Sequence, residues 1–111
     1  MTATPALGEF EQVVLLAILS LRDEAYGVTI RREIAECTER EPAPGALYTT
    51  LDRLEEKGLV TSAYGDPTPK RGGRAKRYFT VTASGVRAVA RAQRSYQRLM
   101  QGLTLPGAAR A

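Results

Sequence analysis

PGALYTTLDRLEEKGLV (Pro44–Val60) and PKRGGRAKRYFTVT (Pro69–Thr82) decide how this chain folds. Leu47, Leu51 and Leu54 stand four and three apart, which makes one apolar stripe of a helix. Pro44 suits the first helical position and Gly58 the residue just past the end, so a helix is expected over about Pro44–Lys57. Leu59–Tyr64 then alternates as a strand, and Lys76–Val81 reads as its return, with Phe79 and Val81 on one face and Tyr78 and Thr80 on the other. Between them, Asp66–Pro69 and Gly72-Gly73 are turn chemistry for a loop of several residues. A helix followed by a two-stranded ribbon with a cationic tip is the order that a winged helix-turn-helix requires. Its helix can enter a major groove while the tip lies over neighbouring phosphates.

Working outward, Glu9–Leu21 reads as a first helix with acids in its first turn, where the helix dipole favours them. Val13–Leu19 is apolar on nearly every side, which implies burial by more than one neighbour. Arg22–Ala25 is a polar break. A second helix is expected over about Tyr26–Glu39, with Ile30 and Ile34 on one face and Val28 near it, and Gly27 marks close backbone approach. Glu41-Pro42-Ala43-Pro44 is a turn. Thr82 suits the cap of a last helix reaching about Leu103. Val86, Val89, Tyr96, Met100 and Leu103 give that helix a seam over about three heptads, and Arg87, Arg91, Arg94 and Arg98 take its outer face. A helix of about 20 residues is about 30 Å long, more than so small a domain needs to cover itself.

The fold class is therefore mainly α with a small β-ribbon. Residues 1–82 are expected to form the winged helix-turn-helix with 1–7 a loose tail, 83–104 a dimerisation helix, and 105–111 a disordered tail. Packing the last helix of one subunit on the first and last helices of another predicts a two-fold homodimer that uses Val14, Val86, Val89, Tyr96, Met100 and Leu103. An effector cavity between subunits would draw on Phe10, Val14, Tyr96 and Met100, residues that equally suit plain packing.

Charge points to the partner. The net charge is +4, but residues 1–69 hold all 12 acids and six Lys/Arg (net −6), whereas 70–111 hold ten Lys/Arg and no acid (net +10). So complete a segregation favours a polyanion over an evenly solvated surface. Lys70, Arg71, Arg74, Lys76 and Arg77 crowd around Gly72-Gly73 and are expected to grip phosphate or the minor groove rather than merely solubilise a loop. On the Pro44–Lys57 helix, Gly45, Tyr48, Thr49 and Arg53 lie off or beside the apolar stripe. Small residues there allow close approach to DNA, and the two hydroxyls can bond phosphate. Tyr48 could instead cap the core, and Thr49 and Thr50 could be plain polar surface.

Other classes are disfavoured. With no histidine and one cysteine there is no common general base and no zinc site, so neither an enzyme nor a metal or other cofactor is expected. Glu33, Glu36, Glu39 and Glu41 read as a solvated face, Ser20, Ser62, Ser84 and Ser95 have no base partner, and no GK[ST] follows the glycines. Cys37 alone allows no intrachain disulfide and reads as a small residue near a helix end. The start MTATPALGEFEQ lacks a basic leader, and the seven-residue run Val13–Leu19 is too short to span a bilayer. A cytoplasmic, nucleoid-associated protein without membrane contact is expected.

The segments YGVTIRREI (Tyr26–Ile34), GALYTTLDRLEEKGLV (Gly45–Val60) and GGRAKRYFTVTASG (Gly72–Gly85) resemble the PadR family of bacterial transcriptional regulators, over about residues 8–103. The short C-terminus looks like the subgroup with a single C-terminal helix. The resemblance implies a dimer whose last helices cross-pack, double-stranded DNA with an inverted-repeat operator as partner, and repression relieved by a small-molecule effector. It makes Pro44–Lys57 the recognition helix with Tyr48 a DNA contact, Tyr26 a phosphate contact, and about Gly65–Arg74 the wing. Ala43 stands where a Ser cap is common in the family, and Val28 where an aromatic is frequent. The competing reading is a winged-helix adaptor whose basic surface holds an acidic protein.

Overall fold

The computed structural model describes residues 6–65 and 75–107. Four helices and one ribbon follow in order: α1 (Glu9–Leu21), α2 (Gly27–Cys37), α3 (Pro44–Glu56), β1 (Val60–Tyr64), β2 (Arg77–Val81) and α4 (Ala83–Met100). The strands pair antiparallel in a register that sets Val60 against Val81 and Tyr64 against Arg77. This is a winged-helix architecture: α2 and α3 form the helix-turn-helix, the ribbon the root of the wing, and α1 the helix that touches all of them.

The core takes the predicted stripes. Leu47, Leu51 and Leu54 of α3 are fully buried, together with Ile30 and Ile34 of α2 and Phe79 of β2. Burying a Leu, Ile or Phe contributes about 1.5–3 kcal/mol each. Val28 falls outside this set and is 55% exposed. Two residues before Ile30 is about 200° around a helix, so it points away from the core face. Burial of α1 is one-sided, since Leu16 and Leu19 remain exposed while Val14, Leu15 and Ile18 are closed in.

Local signals set the ends of the elements. Gly58 (φ 75°) closes α3: its N–H donates to Glu55 O at 3.0 Å, and Leu59 N–H reaches back to Leu54 O at 2.9 Å. This is a Schellman arrangement, which needs a left-handed residue. Thr82 caps α4 by accepting from Gly85 N–H at 3.1 Å. Ala43 offers α3 no side-chain cap, and Pro44 alone starts that helix. α4 stops at Met100 rather than Leu103, because the chain turns extended at Gln101 and left-handed at Gly102.

The polar break is more ordered than composition suggests. Arg22–Glu24 forms a 3-10 turn, and Phe79 N–H donates to Ala25 O at 2.8 Å, so a one-residue bridge between Tyr26 and Tyr78 extends the ribbon. A bridge that short has no periodicity to read. Arg22 itself sits at φ 56°, ψ −116°, a turn conformation normally left to glycine. Leu7, expected in a loose tail, packs partly against the core.

A partly buried ion pair ties α1 to the end of α3. Lys57 Nζ lies 2.8 Å from Glu11 Oε2, and the other carboxylate oxygen of Glu11 accepts from Gly8 N–H at 2.8 Å. Burial pushes the Glu11 carboxyl up. The Lys57 hydrogen bond, the Gly8 N–H and the charges of Lys57 and Arg53 outweigh it and hold the group below its ordinary value.

Candidate nucleic-acid interface

With Leu47, Leu51 and Leu54 turned inward, α3 presents Gly45, Thr49, Asp52 and Glu56 outward, all exposed. Thr50 is on the inner side and buried. Tyr48 lies on the flank facing α2, where its ring crosses Gly27: a Cβ on Gly27 would stand 2.9 Å from Tyr48 Cζ and closer still to the hydroxyl. Tyr48 is thus packed along one edge and 39% exposed along the other. Arg53 is exposed on the opposite flank, about 140° round the helix from Tyr48. Its charge also acts on Glu11. The outward face therefore carries two acids in its C-terminal half, which leaves Gly45–Thr49 as the half that can approach an anionic partner.

The ribbon root divides its cations into two kinds. Arg77 Nη2 lies 2.7 Å from Glu55 Oε1, its Nη1 is 3.6 Å from Asp52 Oδ1, and its Nε donates to Ser62 Oγ at 3.1 Å. This guanidinium, counted among the wing cations by sequence, is consumed in fastening the ribbon to α3. Lys76 is held differently, its Nζ 4.2 Å above the Tyr26 ring, which itself meets Tyr78 edge-on at 5.4 Å. A cation over an aromatic face keeps its charge available. Lys70, Arg71 and Arg74 lie outside the described residues.

Tyr26, Tyr48, Lys76 and Arg77 come together around an open groove of about 710 Å³ between α2, α3 and the ribbon. Two further residues in that groove escaped sequence reasoning: Arg32, from the exposed side of α2, and Tyr64, 71% exposed at the end of β1. Only the facing of α2 against the ribbon reveals them, since Arg32 has no role of its own in the Tyr26–Ile34 segment and Tyr64 reads only as the end of a strand.

The proposed dimer residues separate. Val14 and Val89 are buried within the protomer's own core, because α4 packs its first half on α1. They are not surface for a partner. Val86, Tyr96, Met100 and Leu103 are exposed, joined by Leu99 at 75%, which the heptad spacing had omitted. Tyr96, Leu99 and Met100 continue the stripe that Val89 begins, past the point where α1 can cover it. Phe10 lies under the Arg40 guanidinium, 5.7 Å from its ring centre, whereas Tyr96 lines a depression of about 480 Å³ with Leu7, Gln12, Arg91 and Leu99.

Cys37 is exposed, and its thiol donates to Glu33 Oε2 at 3.4 Å. That hydrogen bond, burial and the nearby Glu33 and Glu36 charges raise its pKa, which disfavours the reactive thiolate. Among the described residues no helix is long and apolar enough to cross a membrane.

The model of the transcriptional regulator PadR-like family matches residues 15–91. The transcriptional regulator YqjI of Escherichia coli K12 is 40% identical over 52 residues, which cover 45% of this chain and 25% of that protein. The chain thus spans about a quarter of the length of the curated relatives it matches. Among solved structures, a PadR-like transcription factor from Bacteroides fragilis superposes with a TM-score of 0.68 at 23% identity, covering 85% of each chain. A PadR family regulator from Clostridium difficile gives 0.69 at 22% identity over 85% of this chain and 94% of that one. At these identities the likeness is one of fold. Helix-turn-helix, ribbon and sequence match agree: the chain belongs to the PadR-like family of transcriptional regulators.

Proposed function

We propose that this regulator binds a pseudo-palindromic DNA operator as a homodimer and represses the gene so marked. The observation that carries the reading is the meeting of Tyr48, from the neutral N-terminal half of α3, with the Tyr26–Lys76 pair across one open groove. A helix end that can enter a major groove then lies beside a cation that can hold the adjoining backbone. Arg71 and Arg74 add the sequence-independent grip from the wing, and Arg53 reaches the duplex from the far flank of α3.

The exposed stripe Tyr96, Leu99, Met100 and Leu103 supports the dimer, since apolar groups of this size left side by side call for a partner surface. Two-fold pairing sets two recognition helices about one duplex turn apart. The depression beside Tyr96, closed by a second subunit, suits a small-molecule effector whose binding releases DNA. Such a protein works in the cytoplasm on the nucleoid.

A gel-shift titration against the DNA upstream of its own gene tests the function. The expected result is a salt-sensitive complex that survives an excess of random duplex, with Arg71→Ala plus Arg74→Ala weakening operator and random DNA alike and flattening the salt dependence. Absence of any shift, with capture by an acidic protein instead, turns the reading to the adaptor.

A further inference from the structure

Arg32 is a cation that the described residues leave without a partner. Its neighbour Arg31 donates from Nε to Pro42 O at 3.0 Å, and Arg77 across the groove is neutralised by Glu55 and Asp52. Arg32 is exposed on the α2 wall of the same groove and makes no hydrogen bond or ion pair among the described residues. Among the described residues, none that lines the groove is acidic. The unneutralised charges there are thus Arg32 on one side and Lys76 on the other, with the Tyr26, Tyr48 and Tyr64 side chains between.

We propose that this groove holds one sugar–phosphate strand of the duplex, with Arg32 gripping a phosphate from α2 while Lys76 grips from the ribbon. The assignment rests on the DNA-binding reading above and adds a contact that neither the family resemblance nor the charge pattern singled out. Its physical basis is the sign of α3. The outward face of that helix carries Asp52 and Glu56, and its Arg53 stands on the far flank. A helix of that character repels a phosphate backbone unless cations on its α2 and ribbon sides offset the repulsion. Arg32 is where α2 supplies one. An open groove between two cations and hydroxyl-bearing rings fits a continuous backbone better than a small anion, which needs enclosure on more sides.

The test uses the full chain with Arg32→Gln, Arg32→Lys and Ala35→Arg, each titrated with operator and random duplex at several salt concentrations. Ala35 is exposed on the same face of α2. Arg32→Gln should weaken both duplexes about tenfold near physiological salt and lower the log–log salt slope by about one per protomer. Arg32→Lys should keep the slope, and Ala35→Arg should steepen it. Thermal midpoints should match the wild type, since neither side chain packs on the core. If Arg32→Gln destabilises the fold, Arg32→Met, which keeps the aliphatic stem and removes only the charge, takes its place in the slope comparison. An unchanged slope in Arg32→Gln and Ala35→Arg overturns the assignment, as does a loss confined to the operator, which would make Arg32 a reader of bases. Failure of the wild type to bind any duplex sinks the DNA-binding reading itself.

Discussion

Tyr48 of the recognition helix rests on Gly27, the first residue of α2, with no room between them for a methyl group. Gly27 is buried and Tyr48 is partly exposed, so the glycine sets the height at which the tyrosine leaves the surface. The start of α2 is thereby coupled to the exposed flank of α3: an α2 start that shifts must move the Tyr48 side chain.

Gly27→Ala should therefore displace the Tyr48 ring. Alanine is the better helix former by about 1 kcal/mol, which offsets part of the clash, so urea unfolding should change by no more than about 1 kcal/mol. Operator binding should fall, and random DNA should be bound more weakly as well, because Tyr48 lines the groove proposed for the backbone. In the Tyr48→Ala background the clash is gone, and Gly27→Ala should become stabilising. Additive effects in that double-mutant cycle would show that the two residues are not coupled.

Arg77 should behave as structure, in contrast to Lys76. Arg77→Met removes a hydrogen-bonded link to Glu55 and Ser62 that is about one quarter exposed, and should cost about 1–2 kcal/mol in thermal unfolding. The salt slope of DNA binding should hardly move, because this charge is already neutralised. Lys76→Gln should do the reverse, with little loss of stability and a flatter slope.

The Glu11–Lys57 pair predicts a loss of stability in acid. The folded pKa of Glu11 is depressed, so its contribution is present above its unfolded value of about 4.3 and is lost as pH falls through the folded one. Glu11→Gln should lower the thermal midpoint at pH 7 and lower it less as the pH drops below about 4. Equal deficits at pH 7 and pH 3 would remove the carboxylate from the account.

Leu99→Asp tests the dimer. Leu99 is the most exposed large apolar side chain of α4, so the change should leave the protomer's far-ultraviolet circular dichroism intact and lower the unfolding midpoint only through lost association. Sedimentation equilibrium should show dissociation at least about a hundredfold easier, the effect of burying an unpaired charge in an apolar contact. Operator binding should weaken with it, because two half-sites would no longer be held together.

The boundaries of the elements were legible because they are local. Pro44 and Gly58 bracket α3, Thr82 starts α4, and the leucine spacing chooses the inward face, all through interactions that span a turn or less. The Tyr26–Tyr78 bridge and the Arg22 turn were not legible, since one depends on a partner about fifty residues away and the other on a conformation that arginine does not advertise.

The candidate site divides along the same line. By itself the sequence determined that a helix with a hydroxyl-bearing flank is followed by a strongly basic ribbon, because composition and periodicity are properties of neighbours in the chain. It assigned Lys76 and Arg77 the same role, and Val14 and Tyr96 the same interface. Only the tertiary structure separated them. Arg77 meets Glu55 and Asp52 while Lys76 meets an aromatic face, and α1 covers Val14 while α4 runs on past it and leaves Tyr96 bare. Whether a charge remains available to a partner depends on what lies across from it in space, and a linear pattern carries no record of that.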